Sequence, residues 1–143
     1  MSSRSYSAIW LHLIWSTKKR APLLTKKVKY KVYNFFRDKA KELNIHIDHI
    51  NGIDDHVHLL VCIKPTHSAS TVAKKLKGAS SKWINEQGIT DEYFEWQAGY
   101  AAFSVSPTQL HKVRAYIRNQ EKHHAKTSFA DELIMLENKA NSH

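Results

Sequence analysis

Hydrophobic positions along the chain follow two rhythms, and the rhythms take turns. Residues 6–17 place Ile9, Leu11, Leu13 and Trp15 on one side of a strand and Ala8, Trp10, His12 and Ile14 on the other. Two mostly apolar faces predict a central strand covered on both sides, with His12, a hydrogen-bonded core or sheet histidine or, as the lesser alternative, a site residue, interrupting the second. Lys18-Lys19-Arg20 then forms a basic turn, ended by Pro22. Thr25 is a suitable N-cap, and Val28, Val32, Phe35, Phe36, Ala40 and Leu43 keep the three-and-four spacing of a helix over residues 26–43. Residues 45–50 switch to strand alternation, with Ile45, Ile47 and His49 on one face and His46, Asp48 and Ile50 on the other. Asn51-Gly52 through Asp55 supplies turn chemistry, and a strand rich in β-branched residues follows over 57–63. Ser68 or Ser70 caps a second helix with Val72, Leu76, Ala79, Trp83 and Ile84 as its apolar stripe and Gly88 as its stop. Residues 94–105 read as a last strand bent at Gly99. Ser106-Pro107 opens a helix that runs through Tyr116 and Gln120 and fades near His123-His124, and residues 132–138 form a short final helix.

Strand, helix, strand, strand, helix, strand is the order of a split β-α-β pair. It predicts an α+β, ferredoxin-like (RRM-like) fold: a four-stranded antiparallel sheet with both helices on one face, plus an extra C-terminal helix that carries Tyr116. Residues 1–143 read as one domain by size. The strand over 57–63 becomes one of the two central ones.

Charge sharpens the functional reading. Twenty-two Lys and Arg against 13 Asp and Glu leave a formal charge of +9, which favours a polyanionic partner, nucleic acid first. Most lysines of the first helix read as a solvated face, with a phosphate-tracking stripe as the sharper alternative. No apolar run approaches the roughly 18–20 residues that span a bilayer. The one cysteine, Cys62, lies within an apolar strand, and a reducing, cytoplasmic setting is the default expectation.

Two short motifs suggest chemistry. His56 and His58 flank Val57 on a strand, so their imidazoles share a face roughly 6–7 Å apart and suit one divalent metal. Tyr116 and Gln120 are four apart on a helix and share a face as well. A phenol beside a metal-polarised phosphodiester can attack phosphorus. A Gln120 carboxamide oxygen completes a His-His-Gln site whose mixed donors suit Mn²⁺ and permit Mg²⁺. Any of His46, Asp48 and His49 has reach from the neighbouring strand, though solvent is the commoner destination for such residues.

Asp55-His56-Val57-His58-Leu59-Leu60 resembles the His-hydrophobic-His signature of the HUH endonucleases, and Tyr116-Ile117-Arg118-Asn119-Gln120 resembles the Tyr-x-x-x-Gln helix of their small single-tyrosine, IS200-like transposases. The resemblance covers nearly the whole chain. It implies a metal held by His56, His58 and Gln120, and attack by Tyr116 on single-stranded DNA to give a 5′-phosphotyrosine and a free 3′-OH. It also implies hairpin recognition at insertion-sequence ends, and a homodimer whose active sites are shared between chains. The main competing reading keeps the fold but drops catalysis, leaving a single-stranded DNA or RNA hairpin-binding module. A replication initiator or relaxase, and a metal-binding structural protein, are further alternatives.

Overall fold

The computed structural model describes residues 5–141. Its strands are β1 (Ile9–Ser16), β2 (His46–Ile53), β3 (His56–Ile63) and β4 (Ala101–Val105), and they form one antiparallel sheet in the order β2-β3-β1-β4. Helices α1 (Lys26–Glu42) and α2 (Ala69–Glu86) cross over between strands, as the ferredoxin-like expectation required. They cover the sheet face that carries Leu13, Trp15, Val57, Leu59 and Val61, all buried. Thr25 caps α1 by accepting from the Val28 N–H, and Ser68 rather than Ser70 caps α2 by accepting from Thr71.

The opposite face carries His12, Ile14, His56, His58 and Leu60, buried as well. Three further helices close it: α3 (Leu110–Arg118), α4 (Gln120–His124) and α5 (Phe129–Asn141). β1 and β3 are thus dry on both faces, which is why their sequences run almost continuously apolar. Among the described residues no helix is long and apolar enough to cross a membrane.

Four local expectations change. In β2, a register shift between Ile47 and His49 places Asp48 in a bulge. One extra residue inverts the alternation beyond it, so Ile50 joins Ile47 on the α1 side while His49 turns to the side of Leu60. Asn51 and Gly52 lie in the strand, and Asp54-Asp55 makes the turn. The last strand shortens to Ala101–Val105: Phe94 and Trp96 plug the core, and a single antiparallel bridge, Trp96 with Thr17, ties their segment to the end of β1. Asn85 pairs with both backbone groups of Phe94, Trp96 donates its indole N–H to Ser80, and Gly99 turns the chain at φ 89°. The final helix extends beyond 132–138, starting at Phe129 and ending at Asn141.

Gly52 holds β2 and β3 unusually close. A Cβ there would lie 2.1 Å from the His56 carbonyl oxygen and 2.9 Å from Val57 Cα, both backbone atoms that cannot swing aside. Gly52→Ala should therefore destabilise the fold by about 1–3 kcal/mol, read as a lowered Tm in thermal unfolding, and should displace His56. An unchanged Tm would show that the strands part without strain.

Candidate active site

β3 presents both histidines of the His-x-His motif to the α3–α5 layer, each wholly buried. Burial obliges every ring nitrogen to find a partner. His56 Nδ1 lies 2.7 Å from Asp55 Oδ1, and His58 Nδ1 lies 2.8 Å from Nε2 of His12 on the adjacent strand. Both Nε2 atoms consequently point to the same place. His12, expected as a hydrogen-bonded sheet histidine, is one, and its partner is a site residue.

At that place stands the carboxylate of Glu132, from α5. Its Oε1 lies 3.0 Å from His58 Nε2, 3.3 Å from His56 Nε2 and 2.9 Å from His124 Nε2. Its Oε2 accepts the Tyr116 hydroxyl and, at 3.0 Å, the Gln120 amide N–H. Gln120 Oε1 approaches His56 Nε2 at 3.2 Å. All four residues predicted for the site, His56, His58, Tyr116 and Gln120, are therefore gathered around one side chain that was not predicted.

An ionised carboxylate can only accept hydrogen bonds, so the imidazoles that face it must donate. His58 then takes the His12 N–H at Nδ1 and is neutral, while His56 has acceptors on both nitrogens and is the natural imidazolium. The pKa shifts agree. Burial, then the neighbouring His58, pushes His12 down to about 3, with Glu132 in partial opposition. Burial pushes His58 down to about 4 against the pull of Glu132. Burial also resists the charging of His56, but Asp55 and Glu132 outweigh it and raise that pKa. Burial opposes the charge on Glu132, yet its bonds to His56, His58 and Tyr116 hold it well below the usual carboxylate range. Burial and then Glu132 push the Tyr116 phenol above its ordinary value.

The helix bearing Tyr116 and Gln120 is not continuous. It kinks at Asn119, φ −98° and ψ 21°, between α3 and α4, yet both side chains still reach Glu132. Three ties hold this segment on its own sheet. Arg114 forms a two-pronged pair with Asp48, at 2.7 and 3.0 Å, and Asn51 donates to the Ile117 and Arg118 carbonyls. Buried Lys29, one of the lysines read as solvent-facing, pairs with Glu121 at 2.7 Å. The bulged Asp48 and neighbouring His49, considered as metal donors, are spent on this docking instead. Within the single chain described, Tyr116 and Gln120 thus meet the histidines of their own sheet.

The donors also suit a metal. Ligand atoms of His56, His58, His124 and Glu132 all lie within 4.8 Å of one another, and Gln120 Oε1 adjoins them. Bonds of about 2.1 Å give neighbouring donors separated by roughly 3.0–3.4 Å, the spacing seen around Oε1. Imidazole and oxygen donors with their outer nitrogens fixed by Asp55 and His12 are oriented as a site able to hold a metal ion.

A family model described as "Transposase IS200 like" matches residues 5–120, most of the chain. The chain belongs to the IS200-like transposases. DNA cleavage and strand transfer are the activity of that family. The ISDra2 transposase TnpA of Deinococcus radiodurans is 27% identical over 114 residues, covering 76% of this chain and 81% of that one. A crystal structure of a chain proposed to be a transposase, from D. radiodurans R1, superposes with TM-score 0.65 at 28% identity, over 84% of this chain and 97% of that one. A REP-associated tyrosine transposase bound to a REP hairpin shares the fold at TM-score 0.62 and 16% identity, over 89% of this chain and 76% of that one.

Sequence reading of this transposase missed His124 and Glu132. Each left a signal. His124 follows Gln120 by four and so shares its helix face. Glu132 falls with Phe129, Leu133 and Leu136 on the one apolar stripe of α5, where an acid is out of place unless it has partners.

The buried imidazoles set a pH dependence. His12 and His58 stay neutral in the fold well below the value of about 6.5 at which they protonate once unfolded. The unfolded chain therefore binds more protons there, so their contribution is complete above that value and is lost as pH falls below it. His56, with its raised pKa, acts in the opposite sense: its contribution is complete below about 6.5 and is lost as pH rises through the folded value. Two outweigh one. The Tm of chelator-treated protein should fall between about pH 7 and pH 5, and His12→Gln should fall less steeply. Parallel slopes for the two proteins would remove His12 from this account.

Proposed function

We propose that this chain cuts and rejoins single-stranded DNA at the ends of an insertion sequence, with Tyr116 as nucleophile and His56, His58 and Gln120 holding a divalent ion. The observation that carries the reading is convergence: two buried strand imidazoles, a helix amide and a helix phenol meet at one point. The Tyr116 oxygen attacks the scissile phosphorus, forming an O–P bond as the bond from phosphorus to the 3′-oxygen breaks. The phenol loses its proton and the departing oxygen gains one, leaving a 5′-phosphotyrosine and a free 3′-OH. The new ester retains the bond energy, so a 3′-OH can reverse the attack and rejoin strands without ATP. His56, His58 and Gln120 would hold Mg²⁺ or, favoured by imidazole donors, Mn²⁺, which would supply polarisation of the phosphodiester. Asp55 and His12 keep the ligand rings oriented.

The surface supports a DNA partner. A groove beside Tyr116 is lined by Lys112, Asn119, Lys122 and Lys126, and a second groove, bordering α5, carries Lys19 and Arg20. With a net charge of +9, both attract a phosphate backbone. The substrate we favour is a single-stranded hairpin, the protein a homodimer, and each site the work of one chain.

Labelled hairpin DNA with Mn²⁺ should yield a protein–DNA adduct that survives denaturation. Tyr116→Phe should retain hairpin affinity and lose the adduct, since only the nucleophilic oxygen is removed. Adduct at the wild-type level would move the nucleophile to another residue, Tyr93 or Tyr100. The double change His56→Ala and His58→Ala should abolish cleavage and calorimetric Mn²⁺ binding and, because both rings are wholly buried against Glu132, should also lower the Tm.

Sites built within one chain make a further prediction. His58→Ala and Tyr116→Phe proteins, mixed and allowed to exchange subunits, should remain inactive because every site lacks one essential group. Recovered cleavage would mean that Tyr116 serves the partner's histidines.

A further inference from the structure

The site as described is closed. His56, His58, Gln120 and Glu132 have no solvent exposure, and Phe129 stacks on the His56 ring with centroids 4.3 Å apart. While Glu132 accepts its hydroxyl, the Tyr116 oxygen is engaged and not free to attack a phosphodiester, although the half-buried ring borders the lysine-lined groove.

What fills the site resembles what the site is for. A carboxylate and a phosphodiester are both anions that offer two acceptor oxygens. Glu132 sets one oxygen among the three imidazoles and the other against the Tyr116 hydroxyl and the Gln120 amide. These are the groups that a scissile phosphate must reach. The element that brings the carboxylate is lightly held: of the 13 residues of α5, the buried ones are Phe129 and Glu132. A helix seated by so few buried side chains opens at a small fraction of the cost of global unfolding.

Resting on the reading of Tyr116 as nucleophile, we infer that Glu132 is an internal stand-in for the scissile phosphate and that α5 is a cover. Single-stranded DNA reaches Tyr116 only when α5 lifts and withdraws that carboxylate. Two features of α5 then work together. Phe129 seats the cover on His56, and Glu132 occupies the anion position, so DNA must displace an anion that the protein already provides. The opened position releases the Tyr116 hydroxyl and the His56, His58 and Gln120 groups proposed to hold the ion.

The test uses the full chain as wild type, Glu132→Ala and Phe129→Ala, with native circular dichroism as the entry condition. Glu132→Gln keeps the side chain's size without its charge and replaces the alanine variant should that one unfold. The first readout needs neither metal nor DNA: acetylation of the Tyr116 phenol by N-acetylimidazole, measured at that residue by peptide mass spectrometry. The second is the initial rate of adduct formation with labelled hairpin DNA and Mn²⁺. Breaking hydrogen bonds to a buried charge shifts an equilibrium by roughly ten- to a hundredfold, so both readouts should rise by about tenfold or more in both variants. Tyr116 acetylation unchanged from wild type in both would overturn the cover. A slower adduct in Glu132→Ala, with no gain in Phe129→Ala, would make Glu132 part of the catalytic set; the cover would fall and the tyrosine chemistry would stand. Raised acetylation in chains that never form an adduct would leave the cover in place and sink the nucleophile assignment.

Discussion

Two imidazoles on a central strand, with no access to water, make the demand that the rest of this molecule meets. Each buried ring carries two nitrogens, and an unpartnered one costs free energy comparable to that of a lost hydrogen bond. His56 and His58 therefore need four partners. Asp55 and His12 satisfy the outer nitrogens. The inner pair calls for an anion, an oxygen donor or a metal, and α3–α5 exist over this face to deliver those groups and keep water out. On the other face of the same strand, Val57, Leu59 and Val61 make an ordinary aliphatic core with α1 and α2. One strand thus anchors the fold through its odd positions and holds the chemistry through its even ones.

The division explains how tightly the tyrosine segment is attached. Its ties run to β2 and α1, not only to the site: Asp48 grips Arg114, Asn51 holds the end of α3, and Lys29 reaches Glu121. Asp48 can do this because it is bulged, and Gly52 lets β2 lie close enough to β3 for Asn51 to pair opposite His58. In the proposed chemistry a phenol must be held within a fraction of an ångström to attack phosphorus in line, so features of an edge strand that look like irregularities would bear on that geometry.

Sequence rhythm made the sheet, its order and two crossover helices legible because each element buries one face at a fixed period. The same rhythm failed where one residue broke the count. A bulge such as that at Asp48 has no signature in an alternation read through it. Phe94 and Trp96 have the composition of a strand, but Asn85 offers the Phe94 backbone a side-chain substitute for a ladder partner, and only tertiary contact reveals that. The site divides the same way. His56 with His58, and Tyr116 with Gln120, are pairs at a local period, so their shared faces could be read directly. His12 met them across a strand pair and Glu132 across a loop, and neither distance is encoded in spacing.

That division coincides with the span of the family match. The matched region ends at Gln120 and contains both histidines, the tyrosine and the glutamine. His124, Phe129 and Glu132 lie beyond it, and they are the residues that complete and shut the site. Within the match, each group has a chemical duty that admits few substitutes. Beyond it, the requirement is looser: an apolar ring to sit on His56 and an anion to meet its Nε2. Residues under so loose a requirement can differ between related chains without altering what the enclosed groups are able to do. The proposed reacting set then lies within the span matched to the family, while the proposed control of its exposure falls to a helix with two buried side chains beyond that span.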